Sequence, residues 1–194
     1  DVPVARVSQE VENRARLGLL LINEEESGSL DGGADHYNRT YALDGRLGLG
    51  DDGLVSGFYA KTETPGLNGD DTAFQLSAAA DTEEWSYSAS VIQVGENFNP
   101  EVGFLRRTDF KRVGLFALKR WRDPAWENLL ELRPHISYRG WWGGADDLHE
   151  TGFFHMDNHW EWKSGFEIHT GVNLLHEGVR EAFELAPGQV VEAG

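Results

Sequence analysis

One alternation repeats down nearly the whole chain. In Trp85-Ser86-Tyr87-Ser88-Ala89-Ser90-Val91 one parity is aromatic or aliphatic and the other is serine. Leu130-Glu131-Leu132-Arg133-Pro134-His135-Ile136-Ser137-Tyr138-Arg139 does the same with charges on the polar parity. A period of two sends successive side chains to opposite faces of a strand. Long two-faced strands joined by polar turns suit a β-barrel wall. A polar face carrying Arg, Glu and His suits one with lipid outside and water inside.

Turn signals divide the chain into about ten such segments. The strands expected are 5–11, 14–24, 37–50, 54–64, 72–81, 85–95, 110–121, 129–142, 150–162 and 165–177. Turns are expected near Glu12-Asn13, over the Gly/Asp/Ser stretch Ser27 to Asp35, at Asp51-Asp52-Gly53, at Pro65-Gly66 and at Glu83-Glu84. All but the first of these segments run ten to fourteen residues, which exceeds the usual globular strand of about six and reaches the roughly nine to eleven needed to cross a bilayer at a tilt. Only Ala125 to Leu132 reads as a short helix, and Gly178 to Gly194 reads as loop around Pro187-Gly188. The fold class expected is all-β, an antiparallel meander of about ten long strands forming part or all of a transmembrane β-barrel. A soluble β-sandwich or lipocalin-like binder is the competing architecture.

Composition narrows the function. The 194 residues suffice for one domain, and no run approaches the roughly 18 apolar residues of a membrane helix. A formal net charge of −16 excludes nucleic acid as a partner, because a phosphate backbone requires a basic footprint. The absence of cysteine removes disulfide and thiol chemistry. Acidic runs such as Glu24-Glu25-Glu26, Asp51-Asp52 and Asp146-Asp147 fall at expected turns and read as solvated. The chain starts at Asp1 without an export signal, so it reads as a fragment or mature piece.

Phe58 to Asp71 and Gly95 to Arg107, with Tyr37-Asn38-Arg39-Thr40-Tyr41 and Arg180 to Gly188, resemble a family of outer-membrane β-barrels of unknown function. In that family the barrel follows an N-terminal carbohydrate-binding module of the family-nine type, which these residues do not include. The resemblance implies a bacterial outer-membrane location in a Gram-negative envelope. Residues 1–194 would form a single β-barrel domain, a fragment of a longer barrel protein. It would serve as anchor or port for a carbohydrate-binding partner domain in glycan binding or uptake. The implied partners are outer-membrane lipid and lipopolysaccharide, with a glycan as candidate ligand.

No catalytic residue and no cofactor is assigned, and a non-enzymatic role is favoured. The alternative is a glycan or peptide hydrolase with its site in the lumen or loops. Glu96, Glu101 and Asp109 would be its carboxylates, but no acid–base geometry is legible in them. The candidate ligand-binding residues are Trp141, Trp142, Glu101, Arg106 and Arg107. The two tryptophans could stack on sugars, although most of the seven tryptophans sit at expected strand ends, as an interfacial aromatic girdle would. Arg106 and Arg107 belong to a basic cluster suited to lipopolysaccharide phosphates. The stretch Glu96 to Asp109 is expected to be ordered, because it carries Phe98, Val102, Phe104 and Leu105.

His155, Asp157 and His159 share one strand parity and are competent metal ligands. Neighbours on that parity lie roughly 6.5 Å apart along a strand, which is long for ligands of one ion. No metal is therefore assigned to them. A site would need His135 or His169 to converge from an adjacent strand.

Overall fold

The computed structural model describes residues 2–12, 14–25 and 37–194. Among these, ten strands form one sheet in which each pairs with the next in sequence. They are β1 (Val4–Val11), β2 (Ala15–Glu25), β3 (Tyr37–Leu49), β4 (Gly53–Glu63), β5 (Thr72–Asp81), β6 (Trp85–Val94), β7 (Phe110–Lys119), β8 (Leu129–Gly143), β9 (His149–Trp162) and β10 (Glu167–Glu177). The fold is an all-β antiparallel meander, and the alternation locates its strands to within one or two residues. Among the described residues, β1 pairs only with β2 and β10 only with β9, so no closed barrel is formed. The expected turn at Asn13, the loop from Ser27 to Asp35 and Glu26 of the acidic run lie outside the described residues.

Two expectations are corrected. Residues 125–132 are not helical. The Asp123 carboxylate accepts from the Ala125 N–H at 2.9 Å and the Asp123 carbonyl accepts from Trp126 at 3.0 Å, which closes a tight turn before β8 begins. The stretch from 178 to 194 is not all loop. It carries a short hairpin, β11 (Phe183–Ala186) with β12 (Gln189–Val191), turned at Gly188 with φ 79°.

The chain divides into two compact units, Asp1–Ala78 with Val91–Lys111 and Ala79–Ser90 with Arg112–Gly194. In the first, register aligns Val7, Leu19, Leu43 and Tyr59 in a row across β1 to β4. These side chains remain 68%, 46%, 56% and 52% exposed. The other parity holds the small core, Ala60, Ala73, Val94 and Phe98. It also holds an ion pair that crosses β2: Arg6 Nη2 on β1 donates to Asp44 Oδ1 on β3 at 2.8 Å. Gly18 lies beneath it, and a Cβ there would meet Arg6 Nη2 and Asp44 Oδ2 at 2.7 Å. A side chain there would push both of these side-chain ends aside.

In the second unit, β8, β9 and β10 repeat the pattern. Ile136, Met156 and Val172 form one half-exposed apolar row. The opposite parity is polar throughout its centre, with Arg133, His159 and His169 in one row and His135, Asp157 and Gly171 in the next.

The glycine at 18 gives a direct check on the polar face of the first unit. Gly18→Ala should separate Arg6 from Asp44 and lower the urea midpoint of unfolding. In an Arg6→Ala background the same change should cost much less. Equal effects in both backgrounds would show that the space over Gly18 does not serve the ion pair.

Candidate functional site

Strand register builds the densest polar constellation of the second unit. Adjacent strands lie roughly 4.8 Å apart, closer than same-face neighbours along one strand. Opposite residues of β8, β9 and β10 can therefore meet where sequence neighbours cannot. His135 on β8 faces Asp157 on β9, and His159 on β9 faces His169 on β10. His135 Nε2 lies 3.0 Å from His155 Nε2. Asp157 Oδ2 lies 3.9 Å from His155 Nε2 and 3.6 Å from His159 Nε2. The His159 and His169 rings approach to 3.8 Å between centroids. One ligating atom from each of His135, His155 and Asp157 falls within 4.8 Å of the others, and the same holds for Asp157, His159 and His169. The convergence that the spacing along β9 left open is thus supplied by β8 and β10.

Charge continues along this face. Glu131, almost fully buried, pairs with Arg122 and, at 3.1 Å, with Arg133 Nε. Arg133 Nη2 in turn reaches Glu161 Oε2 at 3.2 Å.

The candidate ligand-binding residues separate into two groups. Glu101, Arg106 and Arg107 line one open depression of about 480 Å³ in the first unit, on the stretch from Phe98 to Thr108. Trp141 and Trp142 belong to the second unit and do different things. The Arg112 guanidinium lies over the Trp141 ring at 5.0 Å. Trp142 stacks on His149 at 4.8 Å, and His149 stacks on His176 at 4.3 Å.

The stretch from Glu96 to Asp109 is held by contacts the sequence reading missed. Asn38, with no exposed surface, donates from Nδ2 to Asn99 O at 2.7 Å and to Thr64 Oγ1 at 2.8 Å. The Asn99 N–H donates to Thr62 Oγ1 at 3.0 Å, and Thr62 is also buried. Phe98 enters the core and Leu105 packs against it, as expected. Phe104 and Val102 do not pack as expected; Phe104 is 93% exposed. Consecutive residues cannot all face the sheet, so only part of this apolar run is used.

The turn between β8 and β9 is tied to the segment after β10. Arg180 Nε donates to Asp146 Oδ2 at 2.9 Å, Arg180 Nη2 reaches Glu150 Oε1 at 2.7 Å, and the Leu148 N–H donates to Asp146 Oδ1 at 3.1 Å. The Arg180 guanidinium first, and then the Leu148 N–H, hold the Asp146 carboxyl below its ordinary range.

No family model, curated protein or solved structure matches the chain.

Two outcomes follow from these contacts. Asn38→Ala removes the donor to the Asn99 carbonyl and to Thr64 Oγ1, leaving Thr62 as the remaining tie to Asn99, and leaving such groups unpaired costs about 1–3 kcal/mol. Limited trypsin digestion should then cut rapidly after Arg106 or Arg107, whereas the unaltered protein should resist cleavage there. Unchanged cleavage would mean that the Asn38 bonds do not hold the loop. For the second, a depressed folded pKa means that the Asp146 contribution is complete above the unfolded Asp value of about 3.9 and is lost as pH falls through the lower folded value. The protection factor of the Leu148 amide, its exchange rate by NMR divided by the intrinsic rate at each pH, should therefore fall only below about pH 4. Loss of protection nearer neutrality would contradict the assignment.

Proposed function

We propose that this chain is a wall segment of a bacterial outer-membrane β-barrel, with its apolar face toward lipid and its polar face toward a lumen. The observation that carries this reading is the row Val7, Leu19, Leu43 and Tyr59, apolar side chains left exposed across four consecutive strands. Contiguous apolar surface of this kind marks a face that meets lipid or another apolar partner. The opposite face keeps its ion pairs and histidines, as a water-filled interior would allow.

Strand length and aromatic placement support the same reading. At about 3.3 Å per residue, Leu129 to Trp142 spans roughly 43 Å. A tilt of about 40° reduces that to roughly 33 Å, close to a bilayer's hydrocarbon thickness of about 30 Å. Trp121, Trp126 and Trp162 lie around the start of β8 and Trp141 and Trp142 near its end. Lys119 Nζ sits over the rings of Trp85 and Trp121 at 5.1 and 5.2 Å. Amphipathic rings beside a cation suit the level of lipid headgroups. The reading requires the free edges of β1 and β10 to be paired, by one another or by further strands, since lipid satisfies no backbone group.

The role as anchor or port for a carbohydrate-binding partner domain rests on the resemblance carried by Phe58 to Asp71 and Gly95 to Arg107. Within it, the depression bounded by Glu101, Arg106 and Arg107 would take the phosphates of lipopolysaccharide.

Two adjacent positions of β8 test the membrane reading. Ile136→Arg places a charge toward lipid and should cost about 2–4 kcal/mol in folding into liposomes. Ser137→Arg, one residue on, should fold almost as well as the unaltered chain. Equal losses, or folding that needs neither lipid nor detergent, would refute it.

A further inference from the structure

We infer that the polar face of β8 and β9 binds a first-row divalent transition metal, zinc foremost, through His135, His155 and Asp157. The first argument is proton bookkeeping. His155 Nδ1 lies 2.6 Å from Asn173 Oδ1, an acceptor, so Nδ1 carries the proton and Nε2 presents a lone pair. His135 Nδ1 faces the carbonyl of Arg133 at 3.5 Å, which also can only accept. Both Nε2 atoms then present lone pairs, and they point at each other across 3.0 Å. In that tautomer the two lone pairs are placed to share one cation, whereas the other His135 tautomer donates Nε2–H to His155.

The second argument is the carboxylate. Asp157 Oδ2 stands 3.9 Å from His155 Nε2, while Asp157 Oδ1 is buried and, among the described residues, has no hydrogen-bond partner. A buried carboxylate oxygen without a partner is unfavourable unless a donor or a metal ion reaches it. Gly171, opposite on β10, adds no side chain against Asp157.

The third argument is size. Zn–N bonds of about 2.05 Å at tetrahedral angles put ligand atoms about 3.3 Å apart. Two of the three edges, 3.0 and 3.9 Å, bracket that value, and the third lies within 4.8 Å. Two imidazoles and one carboxylate leave a fourth position for water, a donor set that suits zinc rather than calcium or magnesium, which take all-oxygen shells. Asn173 is a positioning residue, fixing the His155 tautomer as partners of metal-bound histidines do. His159 and His169 form a second close group with the same Asp157.

The test loads the folded chain with zinc chloride, desalts it, and counts zinc by elemental analysis. One zinc per chain is expected, undiminished by excess calcium or magnesium. His155→Ala and His135→Gln should each abolish retention while keeping the β-type circular dichroism. Asn173→Ala should weaken binding about 10- to 100-fold. His176→Ala, in the separate stack with His149, should retain the ion and controls for loose binding to histidine at large. The proposal is overturned if the folded chain retains no zinc, as it would were the two imidazoles merely sharing a proton. It is equally overturned if folded His155→Ala and His135→Gln both retain zinc, or if His176→Ala removes it.

Discussion

Backbone hydrogen bonding between neighbouring strands fixes the register of this sheet, and register decides which side chains share a face. A slip of one residue in any strand would exchange its two faces. The row Val7, Leu19, Leu43 and Tyr59 exists because β1 to β4 pair at those positions. The meeting of His135 with Asp157, and of His159 with His169, has the same origin in β8, β9 and β10. The apolar surface and the polar cluster are therefore two consequences of one pairing pattern.

Polar contacts then refine what pairing begins. The Arg6–Asp44 pair spans β2 directly over Gly18, which carries no side chain to displace it. Glu131 is buried between the guanidiniums of Arg122 and Arg133, and that arrangement holds the lower end of the polar face of β8. Asn38 and Thr62 play the corresponding part in the first unit by fastening Asn99. Removing one partner of such a buried set leaves the other exposed to the full cost of desolvation, so these few residues should govern local order.

Strand positions were legible in the sequence because the period of two is local and strong. Thr72 to Asp81 was located without error, and the other nine strands to within two residues at either end. The hairpin of Phe183–Ala186 and Gln189–Val191 was missed because strands of four and three residues are too short to display a period. The turn at Asp123 was missed because its signal is a single side-chain acceptor placed among helix-compatible residues. The candidate site was legible only in part. Alternation showed that His155, Asp157 and His159 share a face, but it gave only their spacing along one strand. The shorter lateral distance, and the partners His135, His169 and Asn173, depend on pairing between strands. Asn38 and Thr62 lay further out of reach, since their roles depend on where a distant loop returns.

The central claim is that one face of this sheet meets lipid and the other meets water. The chain contains no cysteine, so single cysteines can report on each face without interference. Ile136→Cys and Ser137→Cys, each labelled with an environment-sensitive fluorophore, would be reconstituted in liposomes containing a lipid-borne quencher. The account predicts strong quenching and a blue-shifted spectrum at 136, and weak quenching with a water-like spectrum at 137. Equal quenching at the two positions, or the reverse order, would contradict it.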